Sequence, residues 1–214
     1  MNELLLRLET VADHLKVESL TRAAFWNLHG PGCDEHLLIH KLRQSSCFVK
    51  DLDFVAILND QIIGNIVYVK TEIKDAEQAY EVLTFGPLSV SPEYQGKGVG
   101  TKLVEYTKSL GKEMGYKAIV IYGDPDYYQR FGFKQSKMFN ITNGDGKYPA
   151  ALLVLELYPG ALNGIKGIFD EGVVYQIDQD QLEGFDEKFV GNKEKLTNHH
   201  ESQLRFRELV STFL

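Results

Sequence analysis

The fold of this chain is decided by the stretch Pro87-Leu88-Ser89-Val90-Ser91-Pro92-Glu93-Tyr94-Gln95-Gly96-Lys97-Gly98-Val99-Gly100-Thr101. An apolar strand end runs into a glycine-dense turn, and that turn opens the clearest predicted helix of the chain, over residues 97–114. Glycines allow the backbone to approach a ligand closely, and the partial positive charge of a helix N-terminus attracts anions. The stretch therefore predicts a cradle of backbone amides for a phosphate or pyrophosphate group.

The spacing of the glycines disfavours two common nucleotide-binding loops. A P-loop requires Gly-Lys followed by Ser or Thr, whereas Gly100 is followed by Thr101 and then Lys102. A dinucleotide fingerprint requires Gly-x-Gly-x-x-Gly, whereas this turn has Gly-x-Gly-x-Gly. A tight turn whose glycines serve packing alone is the alternative, and the strand and helix on either side favour the phosphate interpretation.

Two motifs in this sequence resemble those of the GNAT superfamily of N-acetyltransferases. Gln95-Gly96-Lys97-Gly98-Val99-Gly100 matches the family's pyrophosphate loop, Gln/Arg-x-x-Gly-x-Gly/Ala, and the Leu-x-Val-x-Pro-x-Tyr segment before it matches the family's fourth strand. Tyr127-Tyr128-Gln129-Arg130-Phe131-Gly132-Phe133 resembles the family's aromatic segment, at the expected distance downstream. The resemblance covers residues 3–157 and points to a bacterial branch of unassigned substrate.

The resemblance implies an α/β (α+β) fold with a mixed, mostly antiparallel sheet, in which parallel fourth and fifth strands splay apart around acetyl-CoA and helices flank the sheet. Gly86-Pro87 interrupts the strand predicted over residues 80–90, which is typical of a splayed strand end. We expect a GNAT N-acetyltransferase domain over residues 3–160 and a C-terminal extension over residues 161–214 packed on it. The other predicted strands cover residues 3–9, 53–58, 61–69, 118–122 and 150–157.

The resemblance also implies which residues bind acetyl-CoA, the cosubstrate. Backbone groups of Leu88 and Val90 would hold the pantetheine arm, and the amides of residues 95–101 would hold the pyrophosphate. The full set of predicted cofactor-binding residues is Leu88, Ser89, Val90, Gln95, Gly96, Lys97, Gly98, Val99, Gly100 and Thr101. Lys97 or Lys102 would add charge for the phosphates, and solvated surface lysines are the alternative interpretation.

The reaction that the resemblance implies is the attack of a neutral amine on a thioester. A proton must leave the ammonium, the oxyanion must be stabilised and the departing thiolate must be protonated. Tyr128 occupies the family's general-acid position, and a packing role in an aromatic cluster is its alternative.

The general base is less well defined, because many relatives carry an acidic residue where this chain has Thr84. Glu81 is our candidate for the catalytic base, and Glu35, on a helix predicted to begin at Asp34, is our candidate for binding the acceptor. Solvated surface carboxylates are the alternative for both residues. Deprotonation through an ordered water, or entry of an already neutral amine, would also suffice.

Composition restricts the partners of the chain. Its 214 residues carry 23 Lys and Arg against 30 Asp and Glu, a net charge of −7, so nucleic acid is not an expected partner. We predict no signal peptide and no membrane span, because the early apolar run is short and no apolar segment reaches about 18 residues. The two cysteines do not make a disulfide framework, which favours a reducing cytoplasm.

The last part of the chain carries weaker patterns. Residues 173–177 resemble a strand, and residues 201–214, after His199-His200, resemble a helix whose apolar face packs on the domain or, alternatively, makes a homodimer contact. Cys33, His36 and His40 would share one helix face, but a structural zinc site needs a fourth ligand. We therefore predict no metal site.

The sequence therefore predicts an acetyl-CoA-dependent N-acetyltransferase that acts on a primary amine of a small molecule by direct transfer in a ternary complex. The alternatives are a CoA-binding sensor or scaffold without turnover, which the departure at Thr84 favours, and a protein N-acetyltransferase.

Overall fold

The computed structural model of the protein describes residues 3–189 and 201–214, so His199 and His200 lie outside the described residues. The strands are β1 (Leu5–Leu8), β2 (Phe54–Leu58), β3 (Gln61–Lys74), β4 (Ala79–Val90), β5 (Ala118–Tyr122), β6 (Lys134–Gln135), β7 (Ile141–Thr142), β8 (Leu152–Glu156) and β9 (Gly167–Asp170). The α-helices are α1 (His14–Phe25), α2 (Glu35–Leu42), α3 (Val99–Glu113), α4 (Pro125–Tyr128), α5 (Gln179–Asp186) and α6 (Glu201–Ser211).

The strands form one mixed sheet in the order β1-β2-β3-β4-β5-β8-β6. Neighbours along this order are antiparallel except β4 and β5, which are parallel. The β2–β3 hairpin turns at Asn59 and Asp60, whose φ values of 51° and 61° suit a tight hairpin turn. The predicted mostly antiparallel sheet, with its parallel fourth and fifth strands, is confirmed.

Helices cover both faces of the sheet. Along β3, Ile66 and Tyr68 belong to the core cluster that includes Leu103 of α3, whereas Val67 and Val69 belong to the cluster that includes Val17 of α1. Successive strand residues point to opposite faces, so α3 lies on one face and α1 with α2 on the other. The central part of β3 is consequently buried on both sides.

The strand predicted over residues 173–177 is wrong. Val173–Tyr175 forms a short 3-10 helix that follows Gly172 at φ 85°, and Val173 is 80% exposed. The strand in this region is β9, which pairs with the end of β3 by placing Asp170 opposite Glu72. A positive φ at Gly172 redirects the chain away from the sheet, so the apolar run that follows cannot extend β9.

Residues beyond 160 contact the sheet and the helices of the preceding part. β9 extends the sheet at β3, and Phe185 of α5 packs against Leu37 of α2. The predicted final helix ends at Ser211, and Phe213 then forms a β-bridge with Pro149. The division of the chain at residue 160 stays a prediction.

Candidate active site

The parallel strands β4 and β5 part soon after they meet. Their register contains one Cα pair, Leu83 with Ile119, and β4 then continues to Val90 while β5 ends at Tyr122. A cavity of about 980 Å³ opens where they separate, lined by residues 85–88 and Val90 on the β4 side. The sheet therefore has an opening between two of its strands.

The glycine-dense turn lies at one end of this cavity. Gly96 and Gly98 have φ values of 72° and 82°, and Gly98 immediately precedes the first turn of α3. A Cβ at either position would meet nothing within 4 Å, so the space beside the turn is open. The first amides of α3 lack intrahelical partners and are available for an anion.

Two further contacts shape the turn. Gln95 donates a hydrogen bond from Nε2 to the Val90 carbonyl at 3.1 Å, which closes the turn back onto β4. Gly100 permits a close approach, because a Cβ there would lie 2.8 Å from the hydroxyl of Tyr127. The third glycine therefore makes room for the aromatic segment, whereas Gly96 and Gly98 supply backbone conformations that other residues rarely adopt.

Most of the predicted cofactor residues line the cavity. The lining includes Leu88, Val90, Gln95, Gly96, Gly98, Val99, Gly100 and Thr101. Ser89 does not, because its buried hydroxyl faces α1 and lies 3.0 Å from Oγ1 of Thr21. Lys97 does not either, since its ammonium lies over the Tyr94 ring, 5.3 Å from the centroid. The structure thus does not place the side chains of Ser89 and Lys97 in the cavity.

Arg130 is a source of positive charge that the sequence patterns did not predict. Its side chain lines the cavity, and the guanidinium lies 4.7 Å from the centroid of the Tyr127 ring. Arg130 was visible inside the aromatic motif, but nothing in that motif indicated that the side chain turns toward the cavity.

Tyr128 lies in the wall of the cavity, at the end of the short helix α4. Its ring packs against Phe85, Phe133 and Tyr127, with ring centroids 5.8, 5.6 and 4.9 Å apart. A Cβ at Gly123 would overlap the ring, so this glycine provides the space that Tyr128 fills. Burial, and then the neighbouring Tyr127, raise the pKa of Tyr128 well above its usual value. The hydroxyl consequently stays protonated at neutral pH.

The candidate carboxylates occupy different places. Glu35 lines the cavity, and burial followed by the charge of Asp34 raises its pKa to about 7. Glu81 lies outside the cavity lining; its side chain is 54% exposed and pairs with Lys70 at 3.5 Å. The reason is topological, because Glu81 precedes the Leu83–Ile119 pair and so lies at the closed end of β4. The structure therefore does not support Glu81 as the base.

A second carboxylate in the cavity, Glu171, was missed by the sequence analysis. It follows β9, lines the cavity together with Tyr175, and has a pKa raised to about 7 by burial and by the charge of Asp170. Thr84, where the sequence departs from the family pattern that it resembles, is buried. No sequence pattern indicated Glu171, because its position in the cavity depends on the pairing of β9 with β3.

The cavity also has an apolar portion formed by the helices. Its lining includes Phe25, Leu28 and Leu38 from the α1–α2 region, and Phe206 and Val210 from α6. The His29 ring contacts both α1 and α6: its centroid lies 5.8 Å from that of Phe25 and 4.6 Å from that of Phe206. Burial lowers the pKa of His29, so its imidazole is neutral at neutral pH.

A second cavity, of about 530 Å³, adjoins the first near Glu35. Cys33 lines it, with Sγ 3.6 Å from Nδ1 of His36, and Asp186 lies 3.1 Å from Nε2 of the same ring. Burial raises the pKa of Cys33 well above that of an ordinary thiol, which disfavours the nucleophilic thiolate. Among residues 3–189 and 201–214, no group of three or more His, Cys, Asp or Glu could hold a metal ion.

Comparisons with known proteins agree with this geometry. The family profile described as "Acetyltransferase (GNAT) domain" matches residues 46–135. The chain carries a GNAT acetyltransferase domain. It is 28% identical over 168 residues to the uncharacterized N-acetyltransferase YhbS of Escherichia coli K12, covering 78% of this chain and 95% of YhbS. The resemblance seen in the sequence is confirmed over residues 46–135, and the relative that the chain matches over most of its length is named an N-acetyltransferase.

Solved structures extend the comparison to the whole fold. The crystal structure of Escherichia coli YhbS in complex with CoA is similar with a TM-score of 0.73 and 26% identity, covering 82% of this chain and 93% of that one. A GNAT family acetyltransferase from Brucella melitensis, solved with acetyl-CoA, has the same fold with a TM-score of 0.67 and 23% identity, covering 82% of this chain and 100% of that one. Within the described part of this GNAT chain, no helix has the length and apolar character to cross a membrane.

Proposed function

We propose that the protein transfers the acetyl group of acetyl-CoA to the primary amine of a small molecule, by direct attack in a ternary complex. The observation that carries the proposal is the cavity between β4 and β5, which joins the amide cradle, Tyr128 and two carboxylates in one space. Neither Cys33 nor Cys47 is among the residues that line it, which favours direct attack over a thioester intermediate on the enzyme.

The splayed strands and the glycine turn would bind acetyl-CoA. The cradle fits a pyrophosphate, because Gly96 and Gly98 leave open space beside unpaired helix amides and Arg130 adds positive charge. Leu88 and Val90 line the opening along β4, where an extended pantetheine arm would pass. Holding thioester and amine in one cavity supplies much of the rate acceleration through proximity.

Glu35 and Glu171 are the candidate bases of the reaction. An ammonium group with a pKa near 10 must lose a proton before it can attack. A carboxylate with a pKa near 7 is substantially ionised at neutral pH and is a stronger base than an ordinary glutamate, so either residue suits the task directly or through a water. We assign Glu35 as the first candidate, and kcat/KM should rise as pH increases through about 7.

Tyr128 would donate a hydrogen bond to the departing sulfur. Its raised pKa keeps the hydroxyl protonated, and its ring is fixed by Phe85 and Phe133. A donor of this kind stabilises the negative charge that develops on the thiolate, and the proton can follow as the thiol forms. The aromatic cluster and the chemical role are compatible, because the cluster holds the ring that carries the hydroxyl.

The test is amine-dependent release of the CoA thiol from acetyl-CoA by the purified protein. We expect Tyr128→Phe to lower kcat by about 100-fold, within the usual range for loss of a general acid, with unchanged affinity for acetyl-CoA. Tyr106→Phe, on the exposed side of α3, is the matched control and should keep full activity. Acetyl-CoA binding with no thiol release across an amine panel would favour the sensor or scaffold alternative.

The thiol-release assay does not test a protein acceptor, the cellular location or the oligomeric state. Transfer to a protein amine would be shown by acetylation of a peptide in preference to small amines. The cytoplasmic location rests on the two unpaired cysteines predicted from the sequence and stays a prediction. A homodimer contact through the last helix also stays a prediction.

A further inference from the structure

We propose that the acceptor is a small primary amine with an apolar substituent about the size of an aromatic ring, and that Phe206 of α6 selects it. This inference rests on the proposed acetyl transfer and specifies the acceptor of that same site. It depends on two kinds of side chain that line the same cavity: carboxylates, and apolar side chains carried by the helices.

The carboxylates of the cavity suit an ammonium group. Glu35 and Glu171 line the same space, and within the described residues neither forms an ion pair with a Lys, Arg or His. Asp124 also lines the cavity, but Arg205 neutralises it at 2.7 Å. His29, with its pKa lowered by burial, adds no positive charge that would repel an ammonium. The free acidic groups are thus the two glutamates.

The rest of the acceptor must meet an apolar wall. Phe25, Leu28 and Leu38 approach the cavity from the α1–α2 region, and Phe206 and Val210 approach it from α6. Hydroxyl or second ammonium groups placed there would lose water without gaining a partner, which costs free energy. An apolar substituent would instead gain by leaving water. A hydrophilic amine therefore fits this wall poorly.

The α6 wall is fixed at both ends. Arg205 binds Asp124 through Nε and Nη2, at 2.7 and 3.0 Å, and so joins α6 to the residue that caps the helix carrying Tyr128. At the other end, the amides of Ala150 and Ala151 donate to the carbonyls of Thr212 and Leu209 at 2.8 and 3.0 Å. Phe206 is thereby held against His29 and into the cavity, rather than being a loosely placed surface residue.

The test compares phenethylamine, isobutylamine, ethanolamine, spermidine and a short peptide as acceptors in the thiol-release assay. We expect phenethylamine to give the highest kcat/KM. Phe206→Ala should raise the KM for phenethylamine about tenfold or more, with kcat and acetyl-CoA affinity nearly unchanged, since loss of an apolar pocket contact changes selectivity on this scale. Leu204→Ala, on the same helix but 45% exposed and outside the cavity lining, should behave like wild type.

A second variant keeps the test informative if Phe206→Ala loosens α6. Phe206→Trp retains the packing of the helix and fills more of the cavity, so it should raise the KM for phenethylamine and leave that for isobutylamine within about twofold. Preference for ethanolamine, spermidine or the peptide, with selectivity unchanged in both Phe206 variants, would overturn the inference while leaving the proposed acetyl transfer intact. Absence of acetyl-CoA binding and of thiol release with every amine would overturn both.

Discussion

The environment of Tyr128 shows how one residue can serve the core and the reaction together. Its ring belongs to the apolar cluster beneath the sheet, and the same ring lines the cavity. Gly123 leaves the space that the ring occupies, so the position of the hydroxyl depends on a residue without a side chain. The position of the aromatic motif therefore depends on Gly123, directly after β5, although Gly123 is not part of that motif.

Gly123→Ala tests this dependence. The added Cβ would overlap the Tyr128 ring and displace the hydroxyl, whereas the φ of Gly123 is open to alanine. We expect kcat to fall by about 10- to 100-fold, because a displacement of about 1 Å is costly for a positioned group, with acetyl-CoA affinity within about threefold of wild type. Gly144→Ala, where a Cβ meets nothing within 4 Å, is the control. Equal kcat in Gly123→Ala and wild type would contradict the assigned role of Tyr128.

Glu35 should leave a signature in stability as well as activity. Its folded-state pKa of about 7 exceeds the ordinary value of 4.5, so its contribution to folding is fully present below pH 4.5 and is lost as pH rises through about 7. Glu35→Gln should thus match wild type in urea unfolding at pH 4 and be more stable at pH 8, by up to roughly 3 kcal/mol at 1.36 kcal/mol per pKa unit.

Glu81→Gln is the matched control for Glu35→Gln. The Glu81 side chain is 54% exposed and forms only a surface ion pair, so its replacement should change stability by less than about 1 kcal/mol at either pH. A pH-independent effect of Glu35→Gln would show that Glu35 is not buried in the way the structure has it.

The spacing of residues in the sequence could not show which glutamate lines the cavity. The glycine turn and Tyr128 were predictable because each belongs to a short motif whose residues are neighbours in the sequence. The sequence placed Glu81 and Glu35 on different elements but could not show which carboxylate faces the cavity; Glu81 precedes the point at which β4 leaves β5, and Glu35 of α2 lines the cavity. Glu171 reaches the cavity through the pairing of β9 with β3, a contact between residues far apart in the chain.

The docking of α1 and α2 depends on a buried group of charges. Arg43, the residue directly after α2, pairs with Glu9 at 2.5 Å and with Glu18 of α1 at 2.8 Å, and its side chain is 5% exposed. Burial and then the charge of Glu9 raise the pKa of Asp53, which lies beside this group, well above its usual value. The positive charge of Arg43 therefore lies between two carboxylates where α1, which bears Phe25, packs on α2, which bears Glu35.

Arg43→Met should be strongly destabilising at neutral pH. It removes the arginine from the buried Glu9 and leaves His40 as the basic partner of Glu18, which costs about 3–5 kcal/mol of unfolding free energy in urea. The cost should shrink at pH 5, because uncompensated buried carboxylates take up protons more readily. Lys74→Met, which removes an ammonium from a 3.3 Å surface pair with Glu72, should cost less than about 1 kcal/mol. Equal effects of the two variants would argue against a buried charge group.

Helices and strands with strong local patterns were predictable, and those that depend on distant partners were not. β5 was predicted over its observed residues, Ala118–Tyr122, because a short apolar run flanked by a helix is typical of a buried strand. β9 and α5 were missed, since β9 is four residues long and α5 is anchored by Phe185 against α2. The run over residues 173–177 resembles a strand, but its apolar side chains point to different surroundings: Val173 is exposed and Tyr175 lines the cavity, whereas Val174 and Ile177 pack against two different apolar clusters.

The charge of the whole molecule has to be reconciled with a polyanionic cosubstrate. At −7, the chain offers no overall attraction for CoA phosphates. We expect backbone amides at the start of α3, together with Arg130, to compensate locally, so that the affinity for the cosubstrate comes from one helix terminus. Its composition alone would not have revealed this.

Calorimetric titration of acetyl-CoA into wild type, Gly98→Asp and Gly115→Asp tests that claim most directly. Both glycines have open surroundings and positive φ, 82° and 85°, and they flank opposite ends of α3, so the backbone cost of substitution is comparable. We expect tight binding of acetyl-CoA to wild type and Gly115→Asp, and at least tenfold weaker binding to Gly98→Asp, where a carboxylate would face the pyrophosphate. Equal affinity in all three proteins, or none in wild type, would contradict it.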